Sequence, residues 1–265
     1  MPSLGGSIFV HNAIEFDYCI AESIASLCAV CDEVVVLDAS STDGTIDLIR
    51  ETKKNHANLN VVLGATWDCA PNYCRLAMLA DLAKSNLKTD WHFMLQADEV
   101  IHETSFPHIR EAVNNGTCRS YMVRRLNLFG DLDHCLDINL PQEHKPCSDA
   151  VIRLATIDAN AHGDAESLQV DPKYCCCEKV NDIVLFHYGL ARRDKNHLNK
   201  IISMQSWFFG EGGQPDPRVV EMKKKGDDYF DWRTMKTREM LVKLPLKHPV
   251  FSRQWAAERQ SEKRP

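Results

Sequence analysis

Polar side chains that close a run of strand-forming residues are placed to meet a ligand. The stretch Trp91-His92-Phe93-Met94-Leu95-Gln96-Ala97-Asp98-Glu99 has that form. Trp91 to Leu95 suit a buried strand, and in an open α/β sheet ligands bind at the carboxyl ends of the strands. An acid there, Asp98 above all, can hold a hard cation such as Mg²⁺ or Mn²⁺, which bridges substrate phosphates and neutralises a diphosphate leaving group. An ordinary acidic turn after a strand has the same composition.

The surrounding elements decide between the two. Ser7 to Val10 is a short apolar run that ends in His11-Asn12, a first strand delivering a polar loop. Helical spacing of Ile20, Ile24, Leu27 and Cys28 predicts an amphipathic helix over 15–29. Val34-Val35-Val36-Leu37 is a second strand, closing at Asp38. It leads through the small polar turn Ala39-Ser40-Ser41-Thr42-Asp43-Gly44-Thr45 into a helix containing Ile46, Leu48 and Ile49. Val61 to Leu63 is a third strand, Asn72 to Ser85 a third helix, and Trp91 to Leu95 the fourth strand. This alternation predicts a Rossmann-like α/β fold, with a mainly parallel sheet, right-handed crossovers and helices on both faces. No G-x-G-x-x-G follows the first strand and no P-loop is present, which argues against a dinucleotide fold. Beyond Glu103 the pattern gives a short helix over 107–114 and strands at Ser120–Val123, Val151–Leu154 and Ile183–Phe186, the last running into His187-Tyr188-Gly189. A helix over 194–209 and a Gly/Pro-rich turn at Gly210–Pro217 follow.

The 265 residues suffice for one large domain, read as 1–190, with a helical, basic extension at 191–265. That extension carries a balance of +7 against −13 for the rest, which makes a nucleic acid or an anionic membrane surface a candidate partner. Its positive charges are interleaved with Asp227, Asp228 and Asp231, as in a solvated segment. No apolar run is long enough for a transmembrane segment, and the first residues lack a signal-peptide layout, so the expected location is cytoplasmic. Eleven cysteines, several within apolar runs (Cys19, Cys28, Cys74), agree with free thiols. Cys28-Ala29-Val30-Cys31 and Cys175-Cys176-Cys177 lack a second pair at zinc-finger spacing.

With these pieces in place, VVVLDASSTDGTIDLI resembles the strand–acid–Ser–Thr–Asp–Gly–Thr signature of inverting family-2 glycosyltransferases with the GT-A fold. WHFMLQADEV resembles the strand that ends in that family's Asp-x-Asp metal motif, here in a QADE version. FHYGLARRDKNHLNK is similar to a His-Tyr-Gly segment of one bacterial and viral branch. The resemblance covers residues 7–200 and implies transfer of a sugar from a nucleotide diphosphate sugar to a hydroxyl acceptor. It implies that Asp98 and His187 ligate Mn²⁺ or Mg²⁺, with Lys200 near the phosphates. Asp38 would face the base or ribose unless it caps a turn. His11, Asn12, Ser41, Asp43, Arg75 and Gln96 complete the expected donor site, with Asp43 equally suited to cap the second helix and Arg75 equally suited to a solvated helix face.

Two positions depart from the family. Gln96 stands where an Asp is usual and binds hard cations weakly, and Ala39 stands where a second Asp often follows Asp38. Inverting transfer needs a base for the acceptor proton, which the resemblance places in the segment after the central strand; Asp164 and Glu166, in His162-Gly163-Asp164-Ala165-Glu166, are the candidates, Asp164 being preferred. Gly163-Asp164 is also an ordinary turn. Two other functions fit the same residues: glycosylation of a nucleic-acid base, suggested by the basic extension, and non-catalytic nucleotide-sugar binding, suggested by Gln96.

Overall fold

The structure, a computed structural model, describes residues 1–67, 74–141, 147–171, 177–191 and 238–261, together with positions 196, 197, 199, 200, 202, 203, 221 and 224. Within the expected helix over 194–209 the described positions 196, 197, 199, 200, 202 and 203 are helical, while the turn at 210–217 and most of the Cys175–Cys177 run lie outside the described residues.

Three β–α–β steps form the first half. They are β1 (Leu4–Val10), α1 (Ile20–Cys28), β2 (Glu33–Asp38), α2 (Thr45–Lys53), β3 (Leu59–Val62), α3 (Cys74–Lys84) and β4 (Trp91–Met94). β1 pairs in parallel with both β2 and β4, and β2 with β3. The order β4-β1-β2-β3 therefore reverses direction at β1, and the crevice beyond β1 and β4 is a topological switch point. Alternation along the strands explains why helices cover both faces. Leu4, Ile8 and Val10 of β1 and Val34 and Val36 of β2 pack with Ile20, Ile24 and Leu27 of α1 and Ile49 of α2. Phe9 and Leu37, pointing the other way, pack with Leu79 and Ala83 of α3. β1 begins at Leu4, three residues ahead of the expected Ser7. Gly5 and Gly6 lie within it because a Cβ at Gly5 would strike Thr89 and Leu87, and one at Gly6 would crowd Cys31 and Leu27. α1 begins later than expected, since residues 13–17 form turns with Asp17 in the left-handed region at φ 53°.

The second half is antiparallel where it joins this block. β5 (Glu99–Ile101) and α4 (Phe106–Asn115) lead to β6 (Ser120–Phe129), β7 (His134–Leu136) and β8 (Ala150–Thr156), then to a small hairpin of β9 (Asn160–His162) and β10 (Ser167–Gln169), and to the long β11 (Cys177–Leu190). β8 pairs antiparallel with β4 and with β6. β11 lies parallel to β6 and antiparallel to β5. The sheet is thus a parallel four-strand block extended by mixed pairings. The expected strand at Ser120–Val123 is ten residues long, and His187-Tyr188-Gly189 lies inside β11 rather than after it.

The region beyond residue 191 contributes a strand as well as a helix. β12 (Leu241–Lys243) pairs with β7 at the sheet edge, and α5 (Arg253–Ser261) docks on the body. Trp255 meets Tyr188 edge-on at 5.0 Å between centroids and is 6% exposed. Arg259 pairs with Asp17 at 2.5 Å and Arg253 with Glu103 at 3.1 Å, so two positive charges of this region are neutralised by acids of the body. No helix among the described residues is long and apolar enough to cross a membrane. Among the described residues seven cysteines are free, of which Cys74 is exposed rather than packed in the core, while Cys118 is disulfide-bonded.

Removing the indole of Trp255 leaves a cavity against Tyr188. The variant Trp255→Ala is expected to lose about 3–5 kcal/mol of stability, read as a lower urea midpoint.

Candidate active site at the strand ends

The carboxyl ends of β1, β2 and β4 lie side by side at one edge of the parallel block. After β1, His11 donates through Nδ1 to the carbonyl of Ala39 at 2.7 Å and stacks on Trp67, with centroids 4.6 Å apart and planes 12° from parallel. The Arg75 guanidinium lies 5.5 Å from the same indole, so this arginine turns toward the crevice loops rather than a solvated helix face. Asn12, at φ 49°, accepts through Oδ1 from the Thr42 amide, while its own amide donates to Oγ of Ser41. Asp43 accepts from the amide and hydroxyl of Thr45 and from the amide of Glu15, which clasps the entry of α2 to the β1 loop. Its capping role therefore occupies both oxygens. Asp38 divides its two. Oδ2 accepts from the Ser41 amide at 3.1 Å, while Oδ1 is buried with no hydrogen-bond partner among the described residues. A buried carboxylate oxygen left unpaired is costly, and an N–H or hydroxyl from a ligand would satisfy it.

The second cluster is assembled by backbone pairing. β11 runs against β5 so that His187 faces Glu99 and the Tyr188 amide donates to the Asp98 carbonyl at 2.8 Å. Asp98 and His187, 89 residues apart in sequence, thereby become neighbours, with Nε2 of His187 3.8 Å from Oδ1 of Asp98. Lys200 donates to Oδ2 of Asp98 at 3.0 Å and lies 5.0 Å from the Tyr18 ring centroid. Burial, partly opposed by the Asp98 charge, pulls the His187 pKa down to about 4, so its imidazole is neutral at pH 7. Gly189 makes room for that ring, because a Cβ there would overlap Nε2 and Cε1 of His187. Asp98 and His187 offer one oxygen and one nitrogen to a cation. No group of three or more His, Cys, Asp and Glu side chains suited to a metal is found among the described residues. A divalent ion held here would complete its shell with water and diphosphate oxygens, as such ions do at phosphate sites.

Below this cluster lies a charged network that sequence reading missed. Glu99, fully buried, accepts from Arg153 at 2.7 Å and contacts Arg125 at 3.4 Å, and both arginines are almost completely buried. Arg125 also pairs with Glu166 at 2.5 Å, and Arg153 donates to the Ala165 carbonyl at 3.0 Å. Gln96 donates to that carbonyl at 3.4 Å. The Gly163–Glu166 turn is therefore fastened beside the ends of β4 and β5. Burial raises the Glu99 pKa, but Arg153 and Arg125 more than offset it and hold the carboxyl below its ordinary value. Glu166 is lowered in the same way, by Arg125. Asp164 is exposed, with Oδ1 accepting from the Glu166 amide. The available signal for the network was an arginine inside each of the apolar runs Tyr121–Phe129 and Val151–Ala155.

No protein-family description and no curated protein matches this sequence. Three solved structures share its chain course in part. They are S. aureus TarS 1-349 in complex with UDP-GlcNAc (TM-score 0.48, 13% identity, 97% of this chain and 79% of that one), the same protein in complex with UDP (0.41, 15%, 58% and 47%), and mannosyltransferase PcManGT from Pyrobaculum calidifontis in complex with GDP-Man and Mn²⁺ (0.46, 12%, 90% and 74%). The chain spans just under half the length of the TarS structure with UDP. Likeness at this level carries no argument about substrate or chemistry.

Glu99→Gln would leave the buried Arg153 without a carboxylate and Arg125 with Glu166 alone, and a loss of about 3–5 kcal/mol is expected at neutral pH. A carboxyl with a depressed folded pKa stabilises above its unfolded pKa and ceases to as pH falls through the folded value. The stability gap between wild type and variant, followed by urea unfolding from pH 7 downward, is therefore expected to narrow in the acid range.

Proposed function

We propose that this chain is a nucleotide-sugar-dependent glycosyltransferase of GT-A type, inverting and divalent-metal assisted. The observation that carries the reading is the convergence of Asp98, His187 and Lys200 beyond the carboxyl end of β4, on the same edge of the parallel block as Asp38, whose Oδ1 has no hydrogen-bond partner among the described residues. Asp38, His11, Asn12, Ser41 and Arg75 line the nucleoside end, with Asp43 shaping the loop, and Lys200 neutralises phosphate charge. Asp98 and His187 would hold one Mn²⁺ or Mg²⁺, whose contribution when bound is to stabilise the negative charge of the departing nucleoside diphosphate.

The acceptor hydroxyl attacks the anomeric carbon from the face opposite the diphosphate. As the new C–O bond forms, the bond to the phosphate oxygen breaks, and the acceptor proton passes to a carboxylate. Asp164 suits that task better than Glu166. Its side chain is exposed on a fastened turn, whereas Glu166 is held by Arg125 and its proton affinity is reduced. Gln96 serves the same turn through its amide, which gives it a positioning role in place of the metal contact of an acid.

Incubation with a panel of nucleotide diphosphate sugars, with and without Mn²⁺, is expected to release nucleoside diphosphate from one donor class. Absence of release from every donor, alongside a donor-induced thermal shift, would leave a binder rather than an enzyme. Asp164→Asn is expected to lower kcat by about 10²–10⁴ with donor affinity unchanged, and full turnover in that variant would remove Asp164 as the base. Gly189→Ala is expected to displace the His187 ring and weaken Mn²⁺ binding, measured by calorimetry, with little change in donor affinity in the absence of metal.

A further inference from the structure

The parallel register of β11 on β6 sets Asn127 opposite His187, and Asn127 is 1% exposed. Its amide has one chemically reasonable orientation. Nδ2 donates to the Ser148 carbonyl at 3.0 Å, and a reversed amide would place two oxygens against each other there. Oδ1 is left to accept, and it lies 2.8 Å from Nδ1 of His187. We propose that Asn127 is a positioning residue that fixes His187 in its Nδ1–H tautomer, so that the Nε2 lone pair is presented beside Asp98 as the nitrogen ligand of a divalent cation. This rests on the metal-assisted reading of Asp98 and His187 given above.

The surrounding geometry agrees on three counts. In the opposite tautomer an Nε2–H would face the Asp98 carboxylate, and a hydrogen bond of about 2.7–2.9 Å would be expected between them. The separation is 3.8 Å, the spacing of two electron-pair donors with room for a cation between. The Ser148 carbonyl that orients Asn127 is itself held by Nε of Arg125 at 2.9 Å, so the relay from carbonyl to amide to imidazole is anchored in the buried ionic network. Gly189, underneath, admits the ring without dictating which nitrogen carries the proton; among the described residues it is Asn127, bonded to Nδ1, that does so. Partners of this kind on the far nitrogen of a metal-binding histidine fix its orientation, and their loss costs roughly 10–100-fold in metal affinity.

The test compares wild type with Asn127→Leu and Asn127→Asp, two variants of nearly the same side-chain size. Mn²⁺ affinity is measured by calorimetry with and without a nucleoside diphosphate. The tautomer is read from long-range ¹H–¹⁵N spectra of the histidine rings, with His187 identified by its missing signal in His187→Gln. The wild-type ring is expected in the Nδ1–H form. Asn127→Leu should weaken Mn²⁺ binding about 10–100-fold and move the ring toward the Nε2–H form, whereas Asn127→Asp, which loses the bond to the Ser148 carbonyl but still accepts from Nδ1–H, should keep the wild-type tautomer. An Nε2–H ring in the wild type overturns the proposal without recourse to any variant. Wild-type affinity in Asn127→Leu, where the wild type binds Mn²⁺, overturns the role of Asn127 alone. A wild type that binds no Mn²⁺ even with diphosphate overturns the metal reading itself, and the ligand role of His187 with it.

Discussion

The pairing of β11 with β5 is the constraint on which the site depends. Side chains alternate across a strand, so a one-residue slip would turn His187 to the opposite face and bring Phe186 or Tyr188 beside Asp98. The register is held from both sides of β11. Leu185, Phe186 and His187 pair with Ile101, Val100 and Glu99, and the same three residues pair with Arg125, Leu126 and Asn127 of β6. Phe186 and Tyr188 also enter a core with Val100, Leu126 and Trp255, which gives a slipped register an immediate apolar cost. Geometry at an ion-sized gap is thus set by hydrogen bonds and packing several residues deep.

Electrostatics in the interior work in the same direction. One buried carboxylate facing two buried guanidinium groups is worth little as net stability, but it tolerates little displacement, because any loosening leaves a charge without a partner in a medium that solvates it poorly. Here that intolerance is used at a junction. Glu99 is adjacent to Asp98 in the chain, Arg125 reaches from β6 to Glu166, and Arg153 holds the carbonyl of Ala165. The donor end of the crevice and the turn carrying Asp164 are therefore referred to a common rigid base.

Much of the first half was legible in the sequence, because β-branched runs alternate with helical spacing there and each strand closes in a polar residue. Residues 34–37 and 91–95 read directly as strands delivering Asp38 and Asp98. Legibility fell where structure depends on distant partners. The three residues Glu99–Ile101 carry no local strand signal that separates them from the turn, and they become a strand only because β11 pairs with them. β7, β9 and β10, three residues each, are too short for periodicity to show. Arg125, Arg153 and Asn127 looked like ordinary polar interruptions of apolar strands, and their partners lie 26, 54 and 60 residues away. The residues after 191 read as a basic, helical segment, and composition alone did not disclose that Trp255 is a core residue.

The contact of Arg259 with Asp17 joins positions 242 residues apart, and Trp255 closes over Tyr188 at the same place. During synthesis the β1-to-α1 turn that carries Asp17 emerges early and must wait for a further 242 residues before its guanidinium partner exists. Consolidation of this corner is consequently late, and until then Tyr188, next to His187, lacks its indole cover. A nascent chain halted before residue 253 would expose that aromatic surface to chaperones or to other unfinished copies.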